Sequence, residues 1–339
     1  MPALVSAGRV ASVHPEAELP AWLSLVCAEP ATRRSVERYL RYLAPGVAHL
    51  GPDPMRLVLE IAAPDDVPGI VPGAVMLPSR GRYRVARNDN HLVYSIDRQA
   101  LVRLDPAAGI ASIWFSSAPN AASDLVPGLV SLALLELASH RGFFGLHAAA
   151  VARDGLGYLL PGASGSGKTS LCLTLVREGF HYLSDDFILM TAGTGDLRCV
   201  PFFRTSNLDV AWAERFPELS FIHDLPPLVH GKRMLDLEQC YPGSHAAAAR
   251  PTYLLFPTIV AHAESAVRRI TRRDAFCRLL PESRLSADVR TATTHVRTLE
   301  RLVRQSEAFE LHHGRDFLRA PAETLRGLLE SLPRDPGGR

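Results

Sequence analysis

Gly162, Gly167, Lys168 and Thr169 complete the pattern G-x-x-x-x-G-K-[ST], the Walker A spacing. That spacing suits one chemistry, the holding of a chain of phosphates. The loop reads Gly162, Ala163, Ser164, Gly165, Ser166, Gly167, Lys168, Thr169. Its glycines permit positive φ and keep Cβ atoms away from a ligand that must approach backbone N–H groups. Lys168 is placed to bridge β- and γ-phosphate oxygens, and the Thr169 hydroxyl to hold Mg²⁺. Asp185 and Asp186 follow Lys168 by 17 and 18 residues, at the end of an apolar run. A carboxylate there lies at the C-terminal edge of a sheet, where ligands bind in open α/β folds. It can orient Mg²⁺ or accept the proton of an attacking hydroxyl. His147 precedes Lys168 by 21 residues. On position alone, a lone histidine in an apolar strand reads first as a core residue.

The elements that must position these groups follow from local patterns. An apolar strand over 157–160 enters the loop and a helix over 170–178 leaves it, as phosphate binding at a helix N-terminus requires. Asp154-Gly155 separates the apolar run 146–151 from that strand. Asp-Gly between two such runs predicts a hairpin, and hence an antiparallel neighbour for the loop's strand. Gly179 ends the helix, 180–184 forms a strand closing on the Asp pair, and 187–190 continues it. Residues 193–250 are loop-rich and carry Arg204, Lys232 and Arg233, whose charge and context suit contacts to the transferring phosphoryl group. Tyr253 to Ala261 reads as a strand broken by Pro257. Helices over 273–280 and 287–305, a strand over 309–312 and an amphipathic helix over 322–332 complete the chain, with a frayed tail from 334.

Before the loop, Thr32 to Leu43 places Val36, Tyr39, Leu40 and Leu43 on one helical face, ended by Gly46 and the 51–54 cluster. Strands are expected at 55–62, 82–87, 91–97, 100–104 and 110–115. A strongly apolar helix, capped by Asp124, runs to about Ser139. Residues 1–120 thus form an α+β module without a chemical signature, suited to partner recognition or to packing; 121–333 form the loop-bearing domain, and 334–339 a disordered tail.

The composition is that of an ordinary globular protein: 339 residues, 47% hydrophobic, 21% charged, net charge +2. This balance gives no case for electrostatic capture of nucleic acid or of a membrane surface. Of 37 basic residues only Lys168 and Lys232 are lysines, which singles out Lys232 beside the loop lysine. The five cysteines (27, 172, 199, 240, 277) show no C-x-x-C pair and read as reduced thiols of a cytoplasmic protein. The other twelve histidines show no metal-ligand spacing. The N-terminus lacks a signal-peptide pattern, and the longest apolar stretch, near Leu125, is too short to span a bilayer.

His147-Ala-Ala-Ala-Val, the Asp154-Gly155 hairpin, the loop 162–169 and Ser184-Asp185-Asp186 together resemble the catalytic core of the HPr kinase/phosphorylase family. They are more similar still to its stand-alone relatives near peptide-modification clusters, including kinases of lasso-peptide precursors. The likeness is specific over about 146–190 and weaker over 250–332. It implies an α/β P-loop kinase core of the HPr kinase/PEP carboxykinase-like type, a mixed sheet with a hairpin before the loop. It implies ATP and Mg²⁺, with Lys168 and the loop amides on the triphosphate and Thr169 on the metal. Asp186 is then the base for a serine hydroxyl, Asp185 supports metal or base, and His147 sits beside them. The implied acceptor is a serine of a protein or ribosomally made peptide, and a homo-oligomer is compatible with the family. Where the bifunctional enzymes carry a Glu-x-Arg-Gly signature, this chain reads Val200-Pro-Phe-Phe-Arg204-Thr, so the likeness does not extend to the phosphorylase reaction, HPr as substrate or the family's hexamer. Two other readings stay open: a P-loop kinase of a small molecule, and a nucleotide-binding sensor or NTPase without phosphotransfer.

Overall fold

The computed structural model of the chain describes residues 19–44, 54–61, 69–70, 74–77, 83–88, 90–97, 99–117, 125–191, 195–212, 214–227 and 231–333. The expected cap at Asp124, the Gly46 breaker, most of the 51–54 cluster and the tail from 334 lie outside these residues.

The N-terminal half forms β1 (Leu23–Cys27), α1 (Pro30–Leu40), β2 (Met55–Ile61), β3 (Val75–Leu77), β4 (Arg84–Asn88), β5 (His91–Ile96), β6 (Ala100–Asp105) and β7 (Ile110–Phe115). These seven strands make one mixed sheet in the order β1-β2-β7-β6-β5-β4-β3. Alternation decides its faces: Met55, Leu57 and Leu59 of β2 and Ala111, Ile113 and Phe115 of β7 are buried. Against that face lie α1, with Val36 and Leu40 buried, and α2 (Leu125–His140). The helix α1 starts earlier than its apolar pattern suggests. Glu29 caps it, accepting from the N–H groups of Ala31 and Thr32, and Pro30 supplies a fixed φ at the first position.

The helix α2 is apolar on nearly all sides because it has cover on both. It packs on β2, β6 and β7 of the first sheet and on the next strand, β8 (Phe143–Arg153), of the second. The remaining elements are β9 (Leu156–Pro161), α3 (Lys168–Arg177), β10 (His181–Ser184), β11 (Phe187–Thr191), β12 (Cys199–Pro201), β13 (Thr205–Leu208), β14 (Arg233–Asp236), β15 (Arg250–Ile259), β16 (Ala266–Arg269), α4 (Arg272–Glu282), α5 (Val289–Gln305), β17 (Glu307–His313), α6 (Arg315–Arg319) and α7 (Pro321–Glu330).

The second sheet has the order β12-β11-β8-β9-β15-β17-β16, with β10 also on β8. The predicted hairpin is present: β8 and β9 pair antiparallel, and Asp154 (φ 52°) and Gly155 (φ 77°) make its turn left-handed. β9, β15 and β17 are parallel, so their C-terminal ends lie together. α3 and α7 cover one face, and α4 and α5 the other. The fold is therefore α/β with large mixed sheets. One expectation is corrected here: Pro257 does not break its strand. Beyond Leu254 the register of β15 with β9 has ended, so the absent N–H of Pro257 falls where no partner strand runs, while β17 pairs with β15 through to Ile259.

Candidate functional site

The loop after β9 turns back over α3 because its glycines adopt what other residues resist. Gly162 has φ 157°, and a Cβ there would sit 3.0 Å from the Ser166 Oγ. Gly167, at φ 97°, caps α3 in the left-handed region, so the helix opens at Lys168 with its free N–H groups facing the loop. Lys168 is 6% exposed, and its Nζ donates to the carbonyls of Gly162 (2.5 Å) and Ala163 (2.9 Å). The lysine spans the ring that a phosphate would fill. Burial lowers its pKa against the charges of Glu282, Asp186 and Asp185. The Ser166 Oγ is buried without a hydrogen-bond partner. Glycines that form an open cradle, an orphaned hydroxyl and a buried ammonium fit a bound phosphate chain.

The Asp pair joins two strands that both run along β8. β10 pairs with the outer half of β8 and β11 with its inner half, Phe187 facing His147. The register shift falls between Tyr182 and Ser184; Asp185 and Asp186 follow it, between Ser184 opposite Ala150 and Phe187 opposite His147, and the Ala148 N–H donates to the Asp186 carbonyl at 3.0 Å. As neighbours in an extended segment, the two carboxylates point to opposite sides. Asp185 is buried, and its Oδ2 accepts from the Ser206 hydroxyl (2.6 Å) and the Asn207 N–H (3.2 Å). Its Oδ1 has a long contact, 3.4 Å, with the Tyr182 hydroxyl. Burial raises its pKa to about 6 despite these donors. Asp186 stays half exposed, with its Oδ1 3.4 Å from the His147 Nε2.

His147 is held from both sides. Its Nδ1 lies 2.8 Å from the Glu282 Oε2. Glu282 arrives there because Leu146 bridges Ser283, past the point where β9 leaves β8 to form the loop. The imidazole stands between two carboxylates, and only its doubly protonated form donates to both. The hydrogen bond to Asp186 raises its pKa, against burial and the Lys168 charge. Sequence reasoning missed Glu282. It sits 135 residues from His147, and no local pattern marks it.

Of the three cations expected near the phosphates, Lys232 is exposed and its charge acts on both Lys168 and Asp185. It directly precedes β14, which pairs with β13, whose Ser206 and Asn207 bind Asp185. The charge of Arg204 acts on Asp236, which pairs with His245 at 2.9 Å. Arg233 donates to the Gly231 carbonyl at 2.7 Å. The Nε atoms of both arginines are buried without partners. For Mg²⁺, the half-buried Thr169 hydroxyl and the Oδ1 of Asp185 fit the oxygen set such an ion takes. The Oδ2 of Asp185 is committed to Ser206 and Asn207, and Asp186 faces His147. Among the described residues no group of three or more metal-ligating side chains is preassembled, and no helix is long and apolar enough to cross a membrane.

No family model matches the chain, and no curated protein matches it. Among solved structures, it is similar to the Hpr(Ser) kinase/phosphatase from Coxiella burnetii, at 13% identity and a TM-score of 0.30, over 55% of this chain and 95% of that one. At that score the likeness is distant, and the site's own geometry carries the functional reading.

Proposed function

We propose that the protein is a kinase that transfers the γ-phosphoryl group of ATP, with Mg²⁺, to a serine hydroxyl of a protein or ribosomally made peptide. The observation that carries this reading is a solvent-accessible Asp186, braced by the His147–Glu282 pair, beside the lysine of a phosphate-binding loop. A loop alone would bind nucleotide. A half-exposed carboxylate with a fixed partner adds a base open to an incoming hydroxyl.

The roles follow from the groups. Lys168 leaves the Gly162 and Ala163 carbonyls and moves onto the β- and γ-phosphates, while the loop N–H groups hold the chain. Thr169 and the Oδ1 of Asp185 would hold Mg²⁺, which would supply charge neutralisation at the phosphates. Asp186 takes the serine proton as the serine Oγ–P bond forms and the bond from the γ-phosphorus to the bridging oxygen breaks, leaving ADP. His147 fixes the Asp186 carboxylate and offsets its charge, and Glu282 fixes His147. Lys232 adds positive charge at the mouth. Most of the acceleration in such a transfer comes from positioning and charge neutralisation.

The half-exposed setting of Asp186 favours a large acceptor over a small enclosed one. The test is incubation of the purified protein with γ-labelled ATP, Mg²⁺ and a lysate of the source cell. Label in a discrete protein or peptide, at a serine, supports the reading. Label confined to a small molecule moves it to a metabolite kinase, and label released only as phosphate to an NTPase.

A further inference from the structure

A carboxylate lies in α2 where the packing alone does not call for one. Glu136 is 5% exposed, in a helix whose Ala133, Leu135, Leu137 and Ala138 are all buried. An apolar residue would fill the position without the cost of burying a polar group. The carboxylate is instead shared by two halves of the molecule. From the N-terminal half, the Tyr94 hydroxyl of β5 donates to it. From the other half, the Ser286 hydroxyl donates to it, in the segment that joins α4 to α5. His140, one turn along α2, has its Nε2 3.5 Å from the Glu136 Oε1 and its Nδ1 3.3 Å from the Thr291 Oγ1 of α5.

That joining segment begins where Glu282 braces His147. Glu282 ends α4 and Asp288 caps α5, so residues 283–287 belong to neither helix. Pro281, in the last turn of α4, has no N–H to give the helix, so the end that carries Glu282 depends on ties from outside it. On the sheet side, Leu146 bridges Ser283. On the other side, Ser286 reaches Glu136, and its Oγ accepts from the Asp288 N–H at 3.0 Å. The Tyr94 hydroxyl also accepts from the Ala287 N–H, and Ala287 packs on the core that α2 shares with the first sheet.

We propose that Glu136 is a positioning residue for the transfer: by anchoring Ser286 beside Tyr94 it fixes the segment that starts at Glu282, and with it the imidazole that faces Asp186. The inference rests on the reading of Asp186 as the base of a phosphoryl transfer. Glu136 touches no reacting atom and acts through Glu282 and His147. The first sheet thereby sets the geometry of a reaction carried out on the second.

The test is transfer of label from γ-labelled ATP, with Mg²⁺, to the acceptor in a cell lysate at varied ATP, using the full chain with Glu136→Leu or Glu136→Gln. Leucine suits an apolar helix and removes a buried polar group, so the fold is kept, and melting curves verify it. Glutamine keeps an oxygen that accepts from Ser286 and Tyr94. The proposal expects Glu136→Leu to slow transfer at saturating ATP by about tenfold or more, with the half-saturating ATP concentration within about twofold of wild type. Glu136→Gln should stay within about threefold of the wild-type rate. On a Glu282→Gln background, Glu136→Leu should add less than about twofold, because both act through one imidazole. Ser286→Ala removes the same contact from the other side and carries the same expectations if the leucine variant does not fold. Full transfer by the folded variant overturns the proposal, as does a loss equal in the glutamine variant, a loss that multiplies in full on the Glu282→Gln background, or one that appears as a higher ATP requirement. Each of these leaves the transfer reading standing. If wild type labels no acceptor, the transfer reading fails and the positioning role falls with it.

Discussion

The Nδ1 of His147 and the Oε2 of Glu282 meet at 2.8 Å across 135 residues of chain. The contact ties the hairpin strand before the phosphate loop to the end of α4 on the other side of the sheet. It turns a histidine that could have been core filling into a group whose second nitrogen is aimed at Asp186, 3.4 Å away. Such a partner acts on catalysis only through what it positions, so its loss has a recognisable kinetic signature.

Glu282→Gln keeps the size of the side chain and removes the charge that holds the imidazole. The expected result is a fall in kcat of about 10- to 100-fold with little change in KM for ATP. The His147 pKa should also drop, because the Glu282 hydrogen bond helps to raise it. The alkaline limb of the kcat profile should then move to lower pH. A structural role alone would lower the melting temperature and leave that limb in place.

Lys168→Met should lower transfer by about 10²-fold or more, the cost of removing a group that stabilises developing charge. The same change should leave the melting temperature unchanged or raised. Burial already disfavours the charged ammonium, and methionine fills the same space without it. Differential scanning fluorimetry beside a γ-phosphate transfer assay reads both outcomes.

The loop, the Asp pair and the hairpin were legible because each is local. G-x-x-x-x-G-K-[ST] and Asp154-Gly155 encode backbone conformations within a few residues, and the structure places both as read. Strand β1 was not foreseen: its burial alternates imperfectly, and it forms by joining β2 in parallel, a pairing without a local turn to mark it. β3 is three residues long with two of them exposed, too short for a period. Pro257 read as a breaker because the missing partner strand at that position is a property of the sheet, not of the segment. The Glu282–His147 and Glu136–Ser286 contacts are assembled from distant segments, so no spacing in the chain announces them.

Asp185 gives a pH signature of its own. Its pKa lies at about 6 in the folded chain against an ordinary 3.8. The protonated form is therefore favoured by folding: the contribution to stability is complete below pH 3.8 and is lost as pH rises through about 6. That rise corresponds to roughly 3 kcal/mol at most. Asp185→Asn cannot ionise, so the stability of wild type relative to this variant should fall between pH 4 and 6 and level off above. Urea unfolding of both proteins across that range measures the difference, and parallel curves would contradict the assignment.

The central claim is that Asp186 is a base for an acceptor hydroxyl beside a working phosphate loop. Asp186→Asn removes the base with little change in shape. The direct measurement is transfer of label from γ-labelled ATP to the acceptor in a cell lysate, with ADP affinity measured on the same preparations. The account predicts that Asp186→Asn binds ADP within a few-fold of wild type and transfers at least about 10²-fold more slowly, in line with the usual 10²- to 10⁴-fold contribution of a general base. Transfer retained at near the wild-type rate would contradict it.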